Sequence, residues 1–209
     1  MEGTAKVTTI ILHEDPRSGN CYKIRLTAAH VGIPIERRGY DIMAGETRTP
    51  AFLEQVNAAG RIPVLEVGGR FLPESAAACW YLAEGSALIP SEPFERADML
   101  HWMFWEQYSH EPNVATLRFW RAYVGEAGLS DAQRALMPWK VAGGDAALAL
   151  MDRHLATRAF FTADRFSLAD IALYAYTHVA HDGGFDLTRY PSVVAWLARV
   201  AAQPSHVSM

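Results

Sequence analysis

The sequence predicts two regions of different class. A mixed α/β region runs to residue 84, and an all-helical region runs from 94 to 209. Three observations predict this. Short apolar, β-branched runs alternate with helical stretches over the first 84 residues. A Gly-Gly pair joins two of those runs in the manner of a hairpin. Beyond residue 93 the strand signals stop, and aromatic and aliphatic residues recur at helical spacing.

The elements follow in order. Val7 to Leu12 is short and β-branched and predicts a buried strand. Ser18 to Val31 predicts a helix, ended by Gly32 and Pro34. Ile35 to Ile42 predicts a second strand. Thr49 to Val56 predicts a short helix with Pro50 in its first turn. Ile62 to Val67 and Arg70 to Leu72 predict two strands around Gly68-Gly69, and Glu74 to Glu84 a third helix. A β-α-β unit gives parallel strands through a right-handed crossover, and the hairpin adds antiparallel ones. The expectation is a mixed four-stranded sheet in the order βαβαββα, a thioredoxin-like layout.

Residues 85–93 (GSALIPSEP) have no period and hold two prolines, so they read as a linker. Phe94 to about Ala127 predicts a long helix that Pro112 should kink or split. Ser130 to about Thr157 predicts another, its bounds blurred by Pro138 and Gly143-Gly144. Ser167 to Ala180 and Ser192 to Ala202 complete the set. In Phe166-Ser167-Leu168-Ala169-Asp170, Ser167 and Asp170 form a shortened capping box, which concerns folding rather than chemistry.

Composition excludes several function classes. Half the residues are hydrophobic, which rules out disorder for the bulk of the chain. The net charge of −4 disfavours nucleic acid and anionic membranes as partners. Two cysteines, Cys21 and Cys79, make neither a disulfide scaffold nor a zinc cluster, so no metal is expected and a reducing, cytoplasmic home is. No basic segment followed by a long apolar run opens the sequence, and no apolar run approaches membrane-spanning length, so neither a signal peptide nor a membrane span is expected.

Four pieces carry a more specific message. Pro16-Arg17-Ser18-Gly19-Asn20-Cys21-Tyr22-Lys23-Ile24-Arg25 stands at a strand-to-helix turn. Asn57-Ala58-Ala59-Gly60-Arg61-Ile62-Pro63-Val64-Leu65 leads into the hairpin. Leu72-Pro73-Glu74-Ser75 follows it, and the capping sequence at Ser167 closes the series. In this order the pieces resemble the cytosolic glutathione transferase family, and Glu106 to Pro112 (EQYSHEP) is similar to a bacterial branch of it.

The resemblance implies a glutathione-binding domain over 1–84, a linker over 85–93 and a helical domain over 94–209. It implies that Ser18 hydrogen-bonds the glutathione sulfur and that Asn20 shares or takes that role. Alone, either residue reads as a helix cap. A free thiol has a pKa of about 8.5, so a hydroxyl donor and a helix N-terminus would both favour the thiolate. Ile62-Pro63 resembles the family's cis-proline step, which offers the Ile62 backbone to the cysteinyl part of glutathione. Glu74 can pair with the γ-glutamyl ammonium, and Ser75, at a helix start, can bind its carboxylate; alone, Glu74 reads as a complement to the helix dipole. Arg61 reaches for the glycyl carboxylate or is a solvated arginine, and Thr47 or Arg48 touches the same end. His13 is a local polar group rather than a base, and both cysteines are small buried hydrophobes. His110 reads equally as a surface or capping group and as one that reaches the site.

No permanently bound cofactor is implied, and glutathione serves as co-substrate. Trp105 and Tyr108 are the candidates to meet a small hydrophobic electrophile, although most of the aromatic cluster should be core. The resemblance implies a homodimer. Two alternatives keep the fold: a glutathione-dependent disulfide reductase, and a non-catalytic binding or interaction module. The second would be expected to lose the glutathione contacts that are present here.

Overall fold

In this computed structural model residues 9–209 are described. The chain divides into two units. Unit 1 runs to Glu84 and takes in Val207–Met209, and unit 2 is Gly85–His206.

Unit 1 holds β1 (Ile10–Glu14), α1 (Gly19–Val31), β2 (Glu36–Gly39), α2 (Pro50–Gln55), β3 (Val64–Val67), β4 (Arg70–Pro73) and α3 (Ser75–Ala83). The sheet order is β2-β1-β3-β4. β1 and β2 are parallel, and the other two pairings are antiparallel. The expected mixed sheet is therefore present. Gly68 and Gly69 both take positive φ, as a tight two-residue hairpin turn demands. Leu12 pairs with Leu65 across β1 and β3, and both are fully buried.

Among the described residues the first strand opens at Ile10. Val7 and Thr8 lie outside the described residues, and pairing continues to Glu14. β2 is half the expected length. Its residues, Glu-Arg-Arg-Gly, are all exposed, so it is a short charged edge that discourages further pairing. α1 begins at the Ser18 cap and ends at Gly32, whose left-handed φ of 70° lets its N–H reach the carbonyls of Ala28 and Ala29. The helical domain does not keep the last residues, which join unit 1. There the Tyr22 hydroxyl donates to the Val207 carbonyl at 2.6 Å.

Unit 2 is helical: α4 (Pro93–Trp105), α5 (Glu111–Arg118), α6 (Asp131–Leu155), α7 (Leu168–Thr177) and α8 (Pro191–Ala201). A π turn at Glu106–His110 separates α4 from α5, and another at Phe119–Val124 follows α5. The split falls just before Pro112, which sits in the first turn of α5 where its missing N–H costs nothing. Pro138, in contrast, lies inside α6 without ending it. Gly144 accommodates the Phe185 ring, since a Cβ there would sit 2.2 Å from a ring carbon. That close approach explains a glycine in mid-helix.

Every residue of α7 is buried. Its start is fixed by Asp170. One carboxylate oxygen accepts from the Phe161 N–H at 3.2 Å and the Trp196 indole at 2.9 Å; the other accepts from the Ser167 N–H at 2.9 Å and hydroxyl at 3.0 Å. Among the described residues, no helix is long and apolar enough to cross a membrane, and no group of three or more His, Cys, Asp or Glu could hold a metal ion.

Candidate active site

One end of the sheet assembles the site. The register pairs Val64 with both His13 and Pro73. The end of β1, the start of β3 and the end of β4 therefore lie side by side. The segments leaving them, residues 15–18, 61–63 and 74–75, share that edge of unit 1.

The first segment is tightly fastened. Asp15 is fully buried. It accepts from the Arg17 N–H at 2.9 Å and from the Arg17 guanidinium at 3.0 and 2.8 Å. Burial alone would raise the Asp15 carboxyl; the bonds from Arg17 outweigh it and hold the carboxyl below its usual range. The Asp15 carbonyl takes the Ser18 N–H at 2.9 Å, and the Arg25 guanidinium donates to the Pro16 carbonyl at 2.9 Å.

Ser18 is the N-cap of α1, and its hydroxyl oxygen accepts from the Cys21 N–H at 3.4 Å. A hydroxyl that accepts in this way still has its proton to donate. Ser18 and Asn20 are both half-buried. The Ser75 hydroxyl donates to the Asn20 carbonyl oxygen at 3.1 Å. With that oxygen engaged, the NH2 is the end of the amide suited to an anion. Nothing in the sequence links positions 20 and 75, so reasoning from sequence did not find this bond. It also alters the part expected of Ser75. With the hydroxyl turned to Asn20, its backbone N–H at the start of α3 is left for a carboxylate.

Glu74 precedes α3 at φ 73°, a left-handed conformation that a non-glycine residue rarely adopts. Its side chain is exposed and makes no capping bond. The alternative in which it complements the helix dipole needs no such bond, and its position at the N-terminus of α3 allows that role too. Backbone held in so sparse a region costs about 1–3 kcal/mol and concentrates at functional sites. The Ile62-Pro63 peptide is cis, as the resemblance implies. The Ile62 N–H and C=O make no backbone hydrogen bond among the described residues, so a short extended ligand has an edge to pair with.

The residues expected at the glycyl end separate. Arg61 is exposed. Thr47 is only 4 % exposed, so its side chain lies in the interior. Arg48 is engaged in the loop itself and donates to the Ala59 carbonyl at 3.1 Å. Gly60, at φ 63°, leaves room for that guanidinium, which would lie 2.6 Å from any Cβ. His13 is fully buried, with one ring nitrogen 2.8 Å from the Tyr40 hydroxyl and the other 2.9 Å from Glu66. Burial lowers its pKa, and it is not placed as a base for this site. Burial pushes the Cys21 thiol up to about 12, so it stays protonated, and Cys79 is likewise buried.

Trp105, Tyr108 and His110 belong to unit 2. Trp105 is half-buried against Trp102 at 5.4 Å, and Tyr108 is 88 % exposed. His110 is fully buried, with Nε2 3.0 Å from the Thr177 hydroxyl, and makes no side-chain capping bond, so neither the surface nor the capping reading holds.

Comparison with known proteins agrees with this geometry. Residues 17–84 match the model of the glutathione S-transferase N-terminal domain, and residues 126–199 match that of the C-terminal domain. The chain belongs to the glutathione S-transferase family, whose substrate is glutathione. Among solved structures, a glutathione S-transferase from Pseudomonas fluorescens is 46% identical with a TM-score of 0.89, covering 95% of this chain and 98% of that one. A possible glutathione S-transferase from Rhodopseudomonas palustris is 44% identical with a TM-score of 0.89, covering 95% and 89%. A maleylacetoacetate isomerase from Rhizobium meliloti is 31% identical over 189 residues, 88% of either chain.

Proposed function

We propose that the protein is a cytoplasmic glutathione transferase that ionises the glutathione thiol for attack on a small hydrophobic electrophile. The observation that carries this reading is the Ser75–Asn20 hydrogen bond beside the Ser18 cap. It engages the amide oxygen, and both Asn20 and the Ser18 cap stand at the N-terminus of α1. Both groups can donate to a sulfur anion and neither can accept its charge. The thiol proton passes to solvent, the thiolate attacks the electrophile, and a carbon–sulfur bond forms as the leaving group or π electrons depart. Lowering the thiol pKa by about 2 units requires about 2.7 kcal/mol of preferential stabilisation of the anion. Two charge-assisted hydrogen bonds of about 1.5–3 kcal/mol each supply that.

In this reading Glu74 pairs with the γ-glutamyl ammonium, the Ser75 N–H takes the adjacent carboxylate, Ile62 pairs along the peptide, and Arg61 meets the glycyl end. Trp105 and Tyr108 contribute to the electrophile's surroundings, and the working form is a homodimer. A second reading is disulfide reduction with two glutathiones; with Cys21 buried and its thiol pushed up to about 12, both thiols in that reading come from glutathione.

Calorimetric titration with reduced and then oxidised glutathione separates the two. Binding of the reduced form with little for the oxidised form supports the transferase. Tight binding of the oxidised form supports the reductase, and no binding of either removes both.

A further inference from the structure

Unit 2 carries a cleft of about 610 Å³, within the range of small-ligand sites. Its walls come from α4 between Phe94 and Trp102, the end of α6 and the segment up to Asp164. The floor is aromatic. Trp102, His154 and Phe161 meet pairwise at 4.5, 4.8 and 5.3 Å between ring centroids. Phe94 also lines the cleft and is 79 % exposed.

Charges of both signs line the same cleft: Arg158 of the one sign, and Glu95, Asp98 and Asp164 of the other. Arg158 forms no salt bridge or side-chain hydrogen bond among the described residues, and the nearest basic partner of Asp98 is His101, at 3.6 Å. Asp164 accepts from the Ala159 N–H through one oxygen. His154 donates from Nε2 to the Phe161 carbonyl at 3.0 Å. Burial lowers the His154 pKa, so the ring is neutral at pH 7 and Nδ1 is an acceptor. The lining therefore combines an aromatic floor, an uncompensated guanidinium and carboxylates.

We propose that this cleft is a second binding site, for a small aromatic zwitterion of the aromatic α-amino-acid class. The ring lies against Phe94, Trp102 and His154, the ammonium meets Asp98, and the carboxylate meets Arg158. A purely anionic aromatic would face the carboxylates as well as the one guanidinium. An aliphatic zwitterion would leave the aromatic floor unused. An ammonium near aromatic faces gains further from their quadrupoles. Every lining residue belongs to unit 2, so the proposal stands apart from the glutathione reading.

The test is titration of the full chain with L-phenylalanine, phenethylamine, 3-phenylpropanoate and L-leucine, by calorimetry and ligand-observed NMR. It is repeated with saturating reduced glutathione. L-Phenylalanine should bind at least tenfold more tightly than each analogue, whether or not glutathione is present. Arg158→Gln should reduce L-phenylalanine to the level of phenethylamine and leave phenethylamine unchanged. Asp98→Asn should do the same relative to 3-phenylpropanoate. Both side chains reach solvent, so an unchanged thermal midpoint confirms that the variants fold. No L-phenylalanine signal, equal affinity for all four compounds, or displacement by glutathione would overturn the proposal.

Discussion

Two helix starts in this protein carry an acidic residue in contrasting states. At α7, Asp170 is fully buried and receives four donors. At α3, Glu74 is exposed, lacks a capping bond and stands on left-handed backbone. The first carboxylate is saturated by its own fold. The second is held in a costly conformation with its hydrogen-bonding capacity left open. A side chain whose partners are all internal serves stability; one kept open at a conformational cost is a candidate for a ligand.

Replacement separates the two roles. Asp170→Ala strips acceptors from the Trp196 indole and the Phe161 N–H, both in the interior, and should destabilise the protein by about 3–5 kcal/mol. Urea unfolding measures this, and a loss below about 1 kcal/mol would dissolve the contrast. The protonation of Asp170 gives the next effect. Burial lifts its carboxyl from an ordinary 3.8 to about 6, against the opposing hydrogen bonds from Trp196, Phe161 and Ser167. The folded state then holds the proton more tightly than the unfolded chain. Its stabilising contribution is full below about pH 4 and is lost as pH rises through about 6, on the order of 3 kcal/mol. Unfolding midpoints between pH 4 and 7 should fall for the native chain and stay flatter for Asp170→Asn.

Glu74→Gln should behave in the opposite way. Glutathione affinity should weaken at least tenfold, from the loss of a charged hydrogen bond of about 1.5–3 kcal/mol, with stability within about 0.5 kcal/mol of the native chain. The smallest effect sharpens the point. Glu74→Gly relieves the positive φ and should stabilise the fold by about 1 kcal/mol while still weakening glutathione binding. If stability instead dropped, the left-handed backbone would not be under strain.

Much of the architecture is legible in local signals. The Gly-Gly hairpin, the Gly32 stop and the Ser167–Asp170 cap are each written within a few residues, and each stands where the sequence places it. The short β2 was less visible, because Ile35 to Ile42 looks apolar at both ends while its centre is a charged edge. The return of Val207–Met209 to unit 1 rests on a bond to Tyr22 spanning 185 positions. The candidate site divides in the same way. Ser18, Pro63 and Glu74 sit in compact motifs and could be named from them. The Asn20–Ser75 bond depends on how sheet order brings α1 and α3 together, and the engagement of Arg48 depends on the turn at Gly60. Neither arrangement has a local signature.

The central claim is that the Ser18 hydroxyl and the Asn20 amide, at the N-terminus of α1, stabilise a thiolate. Its most direct test is a pH titration of protein-bound glutathione, followed by the ultraviolet absorbance of the thiolate. The native chain should give an apparent pKa at least one unit below the free thiol's value of about 8.5, a difference of about 1.4 kcal/mol or more. The double variant Ser18→Ala with Asn20→Ala should return it to near the free value while glutathione still binds through Glu74. A depressed pKa that survives the double substitution would contradict the account.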